Sequence, residues 1–218
     1  MKKVKISFIM NLLIFILVVI GCICMFCGIK FMPVSSLILA NSKLEMFKYY
    51  TVDSNIFVGL VSLILLIYES RYLKNKKFIP RWVYVLKFIS TASITLAFVT
   101  TLVFLTPQYG FYEMYNNSNL FFHLIVPLLA IISYVFFEKY DNEYIDSFFG
   151  VVPMMIYSIY YIYNIVSHLS NGGISVKYDF YGFLFGNINN AFIVVPLVIT
   201  ITYFMGFMLL FLNKIINK

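Results

Sequence analysis

Residues Tyr50–Lys77 read YTVDSNIFVGLVSLILLIYESRYLKNKK. From Ile56 to Tyr68 the stretch holds no charge, and only Gly59 and Ser62 interrupt the large apolar side chains. A run of this kind, here Tyr50–Tyr68, has the length that crosses a hydrocarbon core. Every backbone amide in such a core must find its partner within its own segment, so the span is predicted to be a helix. Arg71, Lys74, Lys76 and Lys77 close it on one side. On the other side Lys48, Tyr49 and Tyr50 have the character of interfacial anchors. The helix then opens with Thr51, Asp53, Ser54 and Asn55, four polar residues where lipid-compatible ones are expected.

Five further runs of the same kind lie around it: Ile6–Gly28, Tyr84–Leu105, Asn117–Phe137, Ser147–Ile165 and Ala191–Leu212. Short alternating strands, the mark of a membrane barrel, are not seen. The expected architecture is all-α: a polytopic membrane protein built as one bundle of six transmembrane helices, a single domain over residues 1–218. The composition agrees, with 62% hydrophobic and only 11% charged residues, where soluble domains carry about a quarter charged.

The formal net charge of +7 speaks for orientation, not for nucleic acid. If both termini are cytoplasmic, twelve of the sixteen basic residues face the cytoplasm. These are Lys2, Lys3, Lys5, Arg71, Lys74, Lys76, Lys77, Arg81, Lys87, Lys139, Lys214 and Lys218. Lys30, Lys43, Lys48 and Lys177 face out. That asymmetry follows the positive-inside rule, and the Lys-, Ile- and Asn-rich composition suggests a bacterial plasma membrane. The first span also has a rival reading. A basic start and an apolar core ending in VIGC at Cys22 resemble a lipoprotein signal, whose cleavage would leave five spans. The apolar run continues through CICMFCG, which favours a retained helix. Cys22, Cys24 and Cys27 point in different directions on a helix and read as packing residues, not a metal set.

The fourth span contains Asn117–Ala130, NSNLFFHLIVPLLA, with the only histidine inside an apolar run. Both polar stretches are predicted in the outer half of the membrane. They share an echo, Ser54-Asn55-Ile56-Phe57 against Ser118-Asn119-Leu120-Phe121. Thr51 and Asn55 share one helix face, and Asn119, His123 and Pro127 share another. Polar faces at similar depth are expected to turn toward each other. A threonine in a membrane helix usually caps it or bonds back to its own backbone. Here Ser42-Lys43-Leu44-Glu45 has capping-box spacing, so the helix is expected to begin before Thr51. A membrane histidine can be a satisfied core residue, yet its cost makes it a functional candidate.

Weaker signals remain. Ser90, Thr91, Ser93, Thr95, Thr100 and Thr101 in the third span suggest close helix packing. Tyr157, Tyr160, Tyr161 and Tyr163 crowd the fifth span and read first as packing residues. Asp179, Asn187, Asn189 and Asn190 suggest an outer connection or lid, and His168 a neighbouring loop.

YYTVDSN, NLFFHLIVP and the six-span layout resemble the androgen-induced and androgen-dependent transmembrane proteins and their bacterial relatives. The resemblance implies a threonine hydrolase, whose animal members cleave esters between a fatty acid and a hydroxy fatty acid. Carried over, the nucleophile falls on Thr51 and the general base on His123. Asn55 or Asn119 is then the expected oxyanion donor, with Asp53, Ser54 and His168 as supporting residues. A fatty-acyl ester in the bilayer would be the substrate, with no metal or organic cofactor. The alternative is a non-enzymatic lipid-binding or transport protein that uses the same polar residues to hold a headgroup. One geometric condition attaches to the hydrolase. If Asn55 and Asn119 lie level, Thr51 and His123 stand about 12 Å apart along the bundle. Proton transfer needs about 3 Å or one bridging water, so the two helices must be staggered.

Overall fold

The computed structural model describes residues 1–33, 43–139, 143–169, 173–175 and 177–217, and these residues are all-helical in their regular structure. Six helices are long and apolar enough to cross a membrane: α1 Lys2–Cys27, α2 Tyr50–Asn75, α3 Arg81–Tyr109, α4 Asn117–Phe137, α5 Tyr144–Val166 and α6 Ile188–Ile216. They coincide with the six predicted spans. The bundle is apolar on its outside as well as in much of its core. Ile9, Leu60, Ile159, Phe192, Ile193 and Phe204 are exposed, whereas Ser7, Asn11, Ser62, Lys87, Ser90 and Ser133 are buried. Apolar surface on that scale, on helices of membrane-spanning length, suits a lipid surrounding.

Close backbone approach joins α1 to α2. A Cβ built on Gly59 would stand 2.8 Å from Val18 Cγ1, and the β-branched valine is stiff at χ1. Gly59→Val is therefore expected to lower stability by about 1–3 kcal/mol through overpacking, read as a lower unfolding temperature in detergent. Along α3 the residues from Ser90 to Ala97 are all buried. Thr91 and Thr95 return their hydroxyls to the carbonyls four residues back, at 2.8 and 2.7 Å. The hydroxylated face thus serves packing, as its composition suggests.

Two prolines shape the helices near the polar stretches. Pro107 and Pro127 lack the N–H that would bond the carbonyl four residues earlier. Just upstream of each, the ladder widens to i→i+5 spacing, at Thr101–Leu105 in α3 and Phe121–Ile125 in α4. The second widened turn carries His123. Such turns recur at functional sites because they redirect side chains.

One end of the bundle gathers the termini and most of the basic residues. Lys3 Nζ donates to Asn217 Oδ1 at 2.6 Å, and Arg81 pairs with Asp146 at 3.0 Å. Just inside this end lies a buried polar network. Lys87 Nζ donates to Asn11 Oδ1 at 2.7 Å and stands 3.7 Å from Glu138 Oε1. That carboxylate also accepts from Ser133 Oγ at 2.5 Å and Asn11 Nδ2 at 3.1 Å. Lys87 is 0% exposed. It is no flanking surface charge, which corrects its place among the orienting residues. Lys87 is the seventh residue of α3, and its ammonium turns inward to Asn11 of α1, Ser62 of α2 and Glu138 just after α4.

At the opposite end the connection before α6 folds back over the bundle. Tyr161 donates its hydroxyl to Asp179 Oδ1, and Asp179 Oδ2 accepts from the Leu184 amide at 3.2 Å. Gly182 N–H closes a turn onto the Asp179 carbonyl at 2.8 Å. Gly182 has φ +69°, a conformation that favours glycine. Asn190 Nδ2 ties Leu184 O to the start of α6 at 2.9 Å.

Candidate functional site

Thr51 stands in the first turn of α2, after Tyr49 as the capping position. The expected earlier start does not occur. Lys43–Lys48 forms a separate 3-10 turn, Tyr49 adopts an extended backbone, and α2 begins at Tyr50. Ser42 of the anticipated capping box lies outside the described residues. Thr51 is nevertheless free of the cap role. Thr200 and Thr202 bond back to carbonyls four residues earlier, as Thr91 and Thr95 do. Among the described residues the Thr51 hydroxyl makes no such return bond. It is buried, at 7% exposure, at the wall of a cavity.

His123 reaches the same cavity from α4. Its Nδ1 lies 2.8 Å from the Met114 carbonyl. A carbonyl only accepts, so Nδ1 carries the proton and the neutral ring keeps its lone pair on Nε2. The Tyr115 ring meets the imidazole edge-on, with centroids 6.4 Å apart. Orientation is thereby set from the segment preceding α4, toward which helical side chains lean.

Asn55 sets the relative height of α2 and α4, and shifts them by three residues, about 4.5 Å, from the level alignment of Asn55 with Asn119, which leaves about 7.5 Å of helical rise between Thr51 and His123. Its Nδ2 donates to the Thr51 carbonyl at 2.7 Å and to the Phe122 carbonyl at 3.0 Å. Asn55 is thus level with Phe122, not with Asn119, and the Ser-Asn echo does not mark depth. With both amide hydrogens engaged, and no place on either cavity wall, Asn55 clamps the two helices and is not placed to bind an oxyanion. Asn55→Ala is expected to cost about 1–3 kcal/mol, the penalty for leaving buried partners unpaired, measurable as a lower unfolding temperature.

Asn119 lines the cavity with Thr51 and His123. Ser54 Oγ donates to the Thr51 carbonyl at 3.1 Å. Asp53 is half-buried in the first turn of α2, where the helix dipole favours a negative charge. His168 lies apart. It is exposed, bonds Asn164 O at 2.8 Å, stacks on Tyr178 at 3.9 Å, and lines neither cavity described here.

The cavity holding His123 is small, about 70 Å³. A larger chamber of about 350 Å³ adjoins it, walled by apolar residues of α3, α5 and α6 such as Leu96, Met154, Leu197 and Val198. Thr51, Leu105 and Tyr181 line both. At ~30 Å³ per water-sized group, the chamber has room for roughly a dozen such groups.

Tyr181 was not singled out in the sequence. The signal available was modest: an aspartate and a glycine bracketing two aromatics, YDFYGF, in a polar connection. The fold sets its ring beside Thr51 and Tyr157. Burial pushes the Tyr181 phenol up from its ordinary pKa, and the facing Tyr157 and Thr51 hydroxyls partly offset this. Its hydroxyl nevertheless has no hydrogen bond of good geometry. Burying a hydroxyl unpaired costs about 1–3 kcal/mol. Tyr157 spends its own hydroxyl on the Lys48 carbonyl at 2.6 Å.

No cluster of three or more metal-ligating side chains occurs among the described residues. Comparison with protein-family models, curated proteins and solved structures finds no match for this chain.

Proposed function

We propose that the protein is a membrane-integral ester hydrolase with Thr51 as nucleophile and His123 as general base, acting on fatty-acyl esters such as those of hydroxy fatty acids. The observation that carries this reading is that Thr51, from α2, and His123, from α4, line one cavity, and that Thr51 also lines a larger apolar chamber beside it. The chamber suits an acyl chain, and the cavity suits the ester group. In this reading both termini are cytoplasmic, the membrane is a bacterial plasma membrane, and the site lies in the outer leaflet, where a substrate enters sideways from lipid.

The chemistry follows from the tautomer. His123 Nε2 takes the proton of Thr51 Oγ1 as that oxygen attacks the ester carbonyl. The tetrahedral intermediate collapses, the acyl group stays on Thr51, and the departing alcohol takes the proton from Nε2. Water then enters, loses a proton to Nε2 and attacks the Thr51 ester. The fatty acid leaves and Thr51 regains its proton. The bond between His123 Nδ1 and Met114 O holds the ring throughout and stabilises the transient imidazolium.

The test uses the purified protein in nanodiscs with esters of hydroxy fatty acids and a fluorophosphonate probe. The expected results are release of fatty acid and a phosphonate adduct mapped to Thr51 by mass spectrometry. A protein that binds acyl chains but neither turns them over nor takes the probe would be a lipid-binding protein, and the hydrolase reading would fall.

A further inference from the structure

We propose that Tyr181, delivered by the turn before α6, is the hydrogen-bond donor to the oxyanion formed at Thr51, which makes it a third catalytic residue. The inference rests on the hydrolase reading and assigns the donor role that neither Thr51 nor His123 fills.

Acyl transfer needs a donor aimed where negative charge develops, beside the nucleophile and away from the base. His123 borders only the smaller cavity. Tyr181 borders both cavities, as Thr51 does, so its side chain lies beside the wall where a carbonyl attacked by Thr51 would be held when its chain occupies the larger chamber. Asn55 cannot serve, because its amide hydrogens are held by the Thr51 and Phe122 carbonyls. Asn119 borders the cavity on the same helix as the base, one turn from His123.

Three observations support a poised donor. Tyr181 is only 8% exposed, and its hydroxyl, which faces those of Thr51 and Tyr157, makes no hydrogen bond of good geometry among the described residues. A buried, unspent O–H beside a nucleophile is ready for an acceptor that arrives with the substrate. The residue is also held firmly. Asp179, two positions earlier, is anchored by Tyr161 and by the Leu184 amide, and Gly182 completes the turn with φ +69°. The neighbouring rings of Tyr49 and Phe183 lie 6.0 and 5.0 Å from that of Tyr181. Preorganisation of this kind lets the donor act without rearrangement. Finally, burial favours the neutral phenol, the form that donates.

The discriminating variant is Tyr181→Phe, which removes one oxygen and keeps the ring packing. Tyr178→Phe in the same connection, outside both cavities, is the control. Turnover of wild-type protein and labelling of Thr51 by fluorophosphonate are measured first. Their absence removes the hydrolase reading and this proposal with it. With wild-type activity established, Tyr181→Phe is expected to lower kcat by about a hundredfold or more, to leave KM within about threefold, and to keep the wild-type unfolding temperature. Tyr178→Phe is expected to match wild type. A Tyr181→Phe kcat within threefold of wild type overturns the donor role while leaving Thr51 and His123 in place. So does a kcat loss that is matched by a lower unfolding temperature, or a loss confined to KM, since either marks a packing or binding role.

Discussion

Thr51→Ala is expected to abolish ester turnover, with a loss of at least about ten-thousandfold, as removal of a covalent nucleophile produces elsewhere. The phosphonate adduct should vanish with it. The fold should survive, because the Thr51 side chain makes no backbone bond among the described residues, and its carbonyl, which Asn55 and Ser54 hold, is kept in alanine. Thr51→Ser retains the hydroxyl and should keep both labelling and measurable turnover. His123→Ala should lose about a hundredfold to ten-thousandfold, the range of a single general base. Turnover that persists in both Thr51→Ala and His123→Ala would mean that these residues do not carry the chemistry. Because Thr51→Ala leaves packing nearly untouched, an unfolding temperature measured in parallel separates lost chemistry from lost structure.

The largest expected effect on stability lies at the other end of the bundle. Lys87→Met keeps the length of the side chain and deletes its charge. Glu138, whose side chain is 1% exposed, then keeps a carboxylate in the core without its ammonium. Asn11 Oδ1 loses its 2.7 Å donor at the same time. Breaking a buried pair from one side costs about 3–5 kcal/mol, since the remaining carboxylate keeps only neutral donors and no opposite charge to offset its desolvation. For a chain of this size that corresponds to a fall in unfolding temperature of roughly 10 °C. Lys87→Met combined with Glu138→Gln should recover most of the loss, because the stranded charge is gone. A single variant as stable as wild type would show that the network is wetted or uncharged. A double variant no better than the single one would assign the cost to packing.

Some of the candidate site is legible in the linear sequence. Thr51, Asn55, Asn119 and His123 stand out because polar groups in an apolar run are expensive and need a reason. Their common placement on two helix faces follows from helical spacing. The arrangement they adopt does not follow. The Ser-Asn echo invites a level alignment, whereas the bond from Asn55 to the Phe122 carbonyl sets α2 and α4 out of step. The widened turn at Phe121–Ile125 adds a shift that proline alone only hints at. Tyr181 is hard to read for a different reason: in a polar connection a tyrosine carries no cost, and the bracketing aspartate and glycine flag a turn, not a site.

What the sequence by itself determined is the number, extent and helical character of the six apolar segments. Transfer into lipid is a sum of per-residue costs over some twenty neighbours, and such a sum can be read along the chain. The tertiary structure alone decided which helices stand beside which, how far they slide, and where the charged side chains go. Asn55 meets Phe122 across 67 residues, and Lys87 meets Asn11 across 76. Contacts of that range depend on pairs of groups whose mutual energy no local pattern records. The same lysine reads as a membrane-flanking charge in one dimension and proves to be the centre of a buried network in three.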